Sequence, residues 1–442
     1  MVRALAVVAV VAGGLCAHAG RAVAEGDALT ALLRRIDTVA QEVARIRGLP
    51  LKRPIPNDVV GRDELRARLL KMAGEDKTAA ESAAEAFALE RWGLIPPGLD
   101  YEAMVVDLLT EQIAGYYDPD TKKLTISRSA GDDPAWAEMV LAHELDHALQ
   151  DQSFNLKTFE DLPSSEGDAA AARRALVEGD GIALMVEVMV ARAHSKVDWA
   201  NPELATGIER SMSVPGTGDD KIDRAPIAIR EAMLFPYRAG FGLIAALRRR
   251  QPWSAVDAAF ARPPKSTEQV LHPERYFADD PPIPVAVRVP VALPGFAIAH
   301  ATVWGELGFD LWLRSHGVDE RGAAVAAEGW GGDRAVVLTR RGDRRAARAV
   351  GIVRTEWDSE VDAIEAAEAA GKALSASVVG STVQRSETRM QLFGLDGTVS
   401  WLERKGPSLV IVVGAPAWSA AALATEVWTA TTASPPPAKS TP

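Results

Sequence analysis

The sequence predicts an α+β protein, with a mainly helical region followed by a small α+β C-terminal domain. Three observations predict it. From Leu29 to about Arg250, apolar residues recur mostly at helical spacing. Within that region, Tyr116 to Ile126 reads as a tight β-hairpin with its turn at Asp118 to Thr121. Beyond about Val285 the pattern changes to short alternating segments separated by turn residues such as Gly342-Asp343 and Lys405-Gly406-Pro407.

A chain of 442 residues with 48% hydrophobic content has ample material for two to three packed domains. The expected division is a signal peptide over 1–24, an N-terminal helical region over 25–100, a domain carrying the chemistry over 101–300, a C-terminal α+β domain over 301–430 and a disordered tail over 431–442. The leader is read from Arg3, the apolar run Ala4 to Leu15, and the small-x-small sites Ala17-His18-Ala19 and Ala22-Val23-Ala24. It addresses the protein to an exported compartment: secreted, periplasmic or cell envelope. Cys16, the single cysteine, lies inside that leader. The bulky Leu15 before it stands where a lipidation signal has a small residue, so a cleaved chain without disulfides is expected. The formal charge of −11 argues against nucleic acid as a partner. No segment approaches the length of an integral membrane span.

The elements follow in order. Leu29, Leu32, Leu33, Ile36, Val39, Val43 and Ile46 mark an amphipathic first helix, ended by Leu49-Pro50. Pro54 and Pro56 keep the connection extended. Further helices are expected from near Arg62, from Thr78 to Trp92 and from Tyr101 to Ile113.

After the hairpin comes a helix capped by Asp133 and begun by Pro134, containing Ala142-His143-Glu144-Leu145-Asp146-His147-Ala148-Leu149-Gln150. Histidines four apart share one helix face, the spacing at which two imidazoles bind one zinc ion. Glu144 between them can reach a water on that metal. A catalytic zinc needs a third protein ligand. Glu178 meets that need, in Ala175-Leu176-Val177-Glu178-Gly179-Asp180-Gly181, within a helical stretch from Asp168 to Ala193. An acid set between apolar and small residues is either bound to something or poorly solvated. Two glycines in a helix each cost about 1 kcal/mol relative to alanine, so they point to close backbone approach.

Downstream, Ser153 to Glu166 reads as a polar loop. An irregular stretch through Pro202 and Pro215 to Asp220 follows, and then a helix from Ala225 to Arg250 with Phe235-Pro236-Tyr237 inside it. Ser254 to Ala261 is one more short helix. In the C-terminal domain, helices are expected at Trp304 to His316 and Ser359 to Leu374. The strands expected there are Arg334 to Thr339, Ala347 to Thr355, Thr388 to Leu395, Val399 to Arg404 and Leu409 to Val413. Gly329 to Gly332 has no phosphate-loop continuation and reads as a turn.

His143-Glu144-x-x-His147 with a downstream helical Glu178 resembles the gluzincins, the thermolysin-like clan of zinc metallopeptidases. Glu111 to Pro119, Ala175 to Asp180, Ser266 to Glu274 and Gly329 to Arg334 are similar to stretches in a group of exported bacterial proteins of that type. The resemblance implies a zincin-like catalytic domain with zinc held by His143, His147 and Glu178, and with Glu144 as general base acting on a protein or peptide substrate. It also implies a substrate-binding edge strand around Leu124 to Ser127. A His or Tyr would stabilise the oxyanion, for which His272 and Tyr237 are the candidates, with Tyr276 behind.

One departure stands out. The gluzincin Asp that orients the first histidine, four residues beyond the ligand Glu, is here Ile182, leaving Asp180, Asp146 or Asp151 to orient His143. Two other functions share the metal: a zinc-stabilised binding or envelope-assembly protein without turnover, and a zinc amidase acting on cell-wall peptides.

Overall fold

The computed structural model describes residues 33–76, 78–129, 134–212, 221–343, 345–378 and 381–433. The leader with Cys16, the cap at Asp133 and the 213–220 part of the irregular stretch lie outside the described residues. The architecture is mixed α+β, with a helical half and a seven-stranded sheet. Among the described residues no helix is long and apolar enough to cross a membrane.

The N-terminal helices are Ile36–Arg47, Arg62–Asp76, Ala79–Arg91 and Tyr101–Gln112. The first ends where Gly48 adopts φ 82° and returns its N–H to Ala44 O, the left-handed stop that glycine takes without strain. Thr78 and Glu81 cap the third helix reciprocally, and Asp100 caps the fourth. These helices are tied into the rest of the chain. Trp92 lies in the core of the C-terminal sheet, edge-on to Trp304 at 4.7 Å. Gly351 makes room for it, because a Cβ there would stand 2.8 Å from the indole.

Strand β1 (Asn57–Val60), β2 (Gly115–Asp118) and β3 (Lys123–Ser127) form a small sheet in the order β1-β3-β2. β2 and β3 are the expected hairpin, but β1 pairs in parallel with β3. The expectation of a free edge at Leu124 to Ser127 is therefore corrected. β3 is the central strand, and β2 is the edge that meets helix Pro134–Phe154. The extended Pro54 to Pro56 connection feeds β1, a pairing that no local pattern announces because its partner lies far along the chain.

Helix Pro134–Phe154 packs in one apolar core against Gly167–Arg192, which packs on its other side against Ile227–Arg250. The last two cross at glycines. A Cβ on Gly179 would fall inside the backbone of Gly240, and a Cβ on Gly240 would fall inside the Ala175 carbonyl. Pro202 begins an amphipathic helix, Pro202–Met212, where an irregular stretch was expected. Proline at a first helical position lacks only an N–H that would have no partner there.

The strand β4 (Val285–Val287) pairs with β12 (Thr431–Ala433), so a strand occupies the first three residues of the stretch expected to be a disordered tail. The large antiparallel sheet runs β5 (Phe296–Thr302), β6 (Trp330–Arg340), β7 (Val350–Trp357), β11 (Ser408–Pro416), β10 (Thr398–Lys405), β9 (Arg389–Phe393), β8 (Thr382–Arg385). Helices Gly305–Ser315, Glu320–Ala327 and Glu360–Ser377 cover one face, and Ala417–Ala430 the other. Both faces of the central strands are thus buried, with Val337 and Val353 on one side and Val336 and Ile352 on the other.

Gly329 turns at φ 79°, but residues 330–332 open β6, which corrects the reading of the whole Gly329 to Gly332 stretch as a turn. Two of the family-like segments act as joints between the halves. Thr267 donates to Asp168 from both its N–H and its hydroxyl, at 3.0 and 2.6 Å, and its hydroxyl oxygen accepts the Leu307 N–H of helix Gly305–Ser315 at 3.2 Å. Asp333 accepts from the Trp304 and Gly305 amides and from the Trp330 indole, and Arg334 donates to Ser165 O.

Candidate metal centre

His143, Glu144 and His147 lie on Pro134–Phe154 and Glu178 on Gly167–Arg192, with exposures of 0, 1, 0 and 2% respectively. His143 Nε2 is 3.3 Å and His147 Nε2 is 3.7 Å from the same oxygen, Glu178 Oε2. One ligand atom from each residue falls within 4.8 Å of the other two. An ion held tetrahedrally at about 2.0–2.1 Å sets its ligands about 3.4 Å apart, so the cluster has the size of a first-row metal site. Among the described residues it is the one group of three or more such side chains that could hold a metal.

The close approach of the two helices is written in Gly181. A Cβ there would stand 2.6 Å from His143 Nδ1 and Cε1, so any side chain would push the imidazole out of place. Gly181 makes room for the helix that carries His143, as the glycines suggested, while Gly179 serves the Gly240 crossing on the other side.

The donor set fits a cation. His147 Nδ1 faces Gln150 Oε1 at 2.8 Å, which leaves Nε2 to carry the lone pair. That Nε2 is fully buried without a hydrogen-bond partner. Burial, with His143 beside it, pushes the His147 imidazole well below its usual pKa and keeps it neutral. Burial pushes the Glu178 carboxyl up, and His143 opposes the shift. An orphaned imidazole nitrogen and a desolvated carboxylate sharing one small volume are what a metal ion would satisfy.

Glu144 is held differently. Its Oε2 accepts the Tyr117 N–H at 2.8 Å, while its Oε1 is buried and has no hydrogen-bond partner. Burial first, and the Glu178 charge second, hold its carboxyl well above the ordinary range. The donor comes from edge strand β2, which is locked to the metal helix by Tyr117 Oη donating to Asp151 Oδ2 at 2.8 Å. Lys122 pairs with the same carboxylate at 2.9 Å.

The two oxyanion candidates stand apart. The Tyr237 hydroxyl acts to hold the Glu178 carboxyl down against the effect of burial, and its ring lies 6.4 Å from the His143 ring, centroid to centroid. His272 has Glu306 at 2.9 Å and Glu274 at 3.7 Å as partners, none of them a cluster residue, and the Glu306 bond raises its pKa. Tyr276 donates to Arg262 O.

None of the acids suggested as histidine orienters touches an imidazole. Asp180 binds Arg47 and Gln150, Asp146 accepts from Gln150, and Asp151 serves Tyr117 and Lys122. The orienter of His147 is Gln150, one turn along the same helix. Sequence reasoning passed over Gln150 and Arg47. The only signal was position, since Gln150 shares the buried helix face with His143 and His147, where a polar residue needs partners.

A family model described as a domain of unknown function, DUF8575, matches residues 296–424, from β5 into the last helix. It covers the large sheet and none of the residues of the metal cluster. No curated protein and no solved structure matches the chain.

Proposed function

We propose that this chain is an exported zinc-dependent metallopeptidase, with His143, His147 and Glu178 as metal ligands and Glu144 as general base. The observation that carries the reading is the asymmetry of Glu144. One oxygen is pinned by the Tyr117 amide, and the other is free beside a three-donor cluster that fits a metal. A purely structural site has no use for an unpaired carboxylate oxygen in its wall. Zinc is favoured over other metals because two imidazoles and one carboxylate are a catalytic zinc donor set. When bound, it would supply a Lewis acid that polarises the scissile carbonyl and acidifies water. Glu144 Oε1 would take a proton from that water and later give it to the leaving amine. Tyr237, the oxyanion candidate in contact with the cluster, would donate its hydroxyl to the developing negative charge. The export assignment rests on the leader sequence, and a protein or peptide substrate on the gluzincin resemblance.

The near-complete burial of all four residues favours a second reading, a closed structural metal in a binding or envelope-assembly protein. Purified protein never exposed to chelator should carry about one zinc per chain, as elemental analysis would read. Hydrolysis of casein, a peptide library or cell-wall fragments, abolished by chelator and restored by zinc, separates peptidase, amidase and structural protein. Absence of any transition metal would sink the first reading and the second together.

Tyr237→Phe tests the oxyanion role. It should keep zinc and lower kcat by about 10- to 100-fold with little change in KM, the pattern of an interaction made in the transition state. Unchanged kcat would return Tyr237 to a packing role.

A further inference from the structure

Behind His147 runs a buried polar chain that ends on a different part of the molecule. The Gln150 amide nitrogen Nε2 faces Asp180 Oδ2 at 2.9 Å, Asp146 Oδ2 at 3.0 Å and the Val177 carbonyl at 3.2 Å. The Val177 carbonyl can only accept, and Asp180 Oδ2 already accepts from Arg47 Nη2, so a flipped amide would set Oε1 against oxygens that do not donate. The unflipped amide leaves Oε1 facing His147 Nδ1, which must then carry the hydrogen. The carboxylate that anchors this amide is itself anchored. Arg47 grips Asp180 with two parallel bonds, Nε to Oδ1 at 2.8 Å and Nη2 to Oδ2 at 2.9 Å. Its remaining nitrogen Nη1 reaches Asp257 at 2.8 Å, and the guanidinium lies over the Trp253 ring at 4.5 Å. Arg47 is fully buried at the end of helix Ile36–Arg47, far upstream of the histidines.

We propose that Gln150 and Arg47 are positioning residues for the metal centre: Arg47 holds Asp180, Asp180 orients the Gln150 amide, and Gln150 fixes His147 as the tautomer that presents Nε2 to the ion. The proposal rests on the metal-centre part of the reading above and is independent of whether the site hydrolyses anything. A neutral amide behind the imidazole fixes direction without adding another acid beside the carboxyls of Asp146 and Asp180. The bidentate grip of Arg47 also makes the first helix a working part of the site, so a proteolytic product beginning after Gly48 would lack it.

The test uses full-length variants and two readouts: zinc affinity, by competition with a chromogenic chelator, and the His147 tautomer in metal-free protein, by long-range proton–nitrogen NMR. Gln150→Met keeps length and removes the amide. It should lower zinc affinity by about 10- to 100-fold, the usual cost of losing a residue that orients a metal ligand, and mix the tautomers. Arg47→Lys keeps the charge and loses the fork, and should shift both readouts in the same direction by less. Asp257→Asn touches Arg47 but neither Asp180 nor Gln150, so it should leave both readouts as in the wild type. A folded Gln150→Met with affinity within about threefold of wild type and a single Nδ1–H tautomer would overturn the proposal. Equal losses in Asp257→Asn and Arg47→Lys would also overturn it, because they would report general loosening. Should Gln150→Met not fold, the Arg47→Lys and Asp257→Asn pair decides alone. A wild type that binds zinc without hydrolysing any substrate would end the peptidase reading and leave this one intact.

Discussion

Glu144→Gln should keep its zinc and its fold and lose hydrolytic activity by at least about 10²-fold. The local geometry makes this substitution unusually clean. In the wild type the Tyr117 N–H fixes one carboxylate oxygen at 2.8 Å. A glutamine offers a single carbonyl oxygen, and that oxygen will take the Tyr117 bond, because the amide NH₂ cannot accept from an N–H. The NH₂ group is then forced into the place of Oε1, which is buried and unpartnered in the wild type. A group that accepted a proton becomes one that only donates, with almost no change in volume. Zinc content and thermal unfolding measured beside kcat/KM separate loss of chemistry from loss of structure. Full hydrolysis by the variant would remove Glu144 as the base. If wild type and variant alike hold zinc and cleave nothing, the closed-site, structural reading takes precedence.

What could be read from the sequence was whatever depends on local spacing. Two histidines four apart must share a helix face, and Gly181 implied a close approach that turns out to be against the His143 ring. The period-2 segments of the C-terminal half correspond to five of the seven strands of its sheet, namely β6, β7, β9, β10 and β11. What depends on pairing across distance was not legible. β1 sits next to β3 although most of the N-terminal helices lie between them in the chain, and that one pairing covers the open side of β3 and leaves β1 and β2 as the edges. Arg47 at the end of an amphipathic helix looks like an ordinary basic residue favouring the helix dipole, and only the fold shows it fully buried against Asp180. The expected gluzincin aspartate also misled in a physical way. Asp180 is present near the ligand, but it serves the guanidinium and the amide; the first histidine, His143, keeps an Nδ1 without a hydrogen-bond partner, and the imidazole that is oriented is that of His147, by Gln150 of its own helix.

Glu178→Gln should act on the metal itself. The carboxylate is the only anionic donor of the three, and an amide oxygen is a much poorer ligand for a divalent ion. Metal affinity should fall steeply, activity should fall with it, and added zinc should restore part of the loss, in contrast to the zinc-replete but inactive Glu144→Gln. Stability offers a second and opposite signal. Zinc at 1,000 times its dissociation constant would stabilise the wild type by about 4 kcal/mol, and the variant would gain far less at the same concentration. Without metal the order should reverse. The 2%-exposed Glu178 carboxyl, whose pKa burial pushes up, is costly to keep ionised, so a neutral amide in its place should leave the metal-free variant at least as stable as metal-free wild type. Thermal unfolding of both proteins, each with chelator and with excess zinc, reads all four states. If Glu178→Gln bound zinc as tightly as wild type, the third ligand would have to be another residue. The next acid along, Asp180, could take that place only by giving up oxygens now held by Arg47 and Gln150.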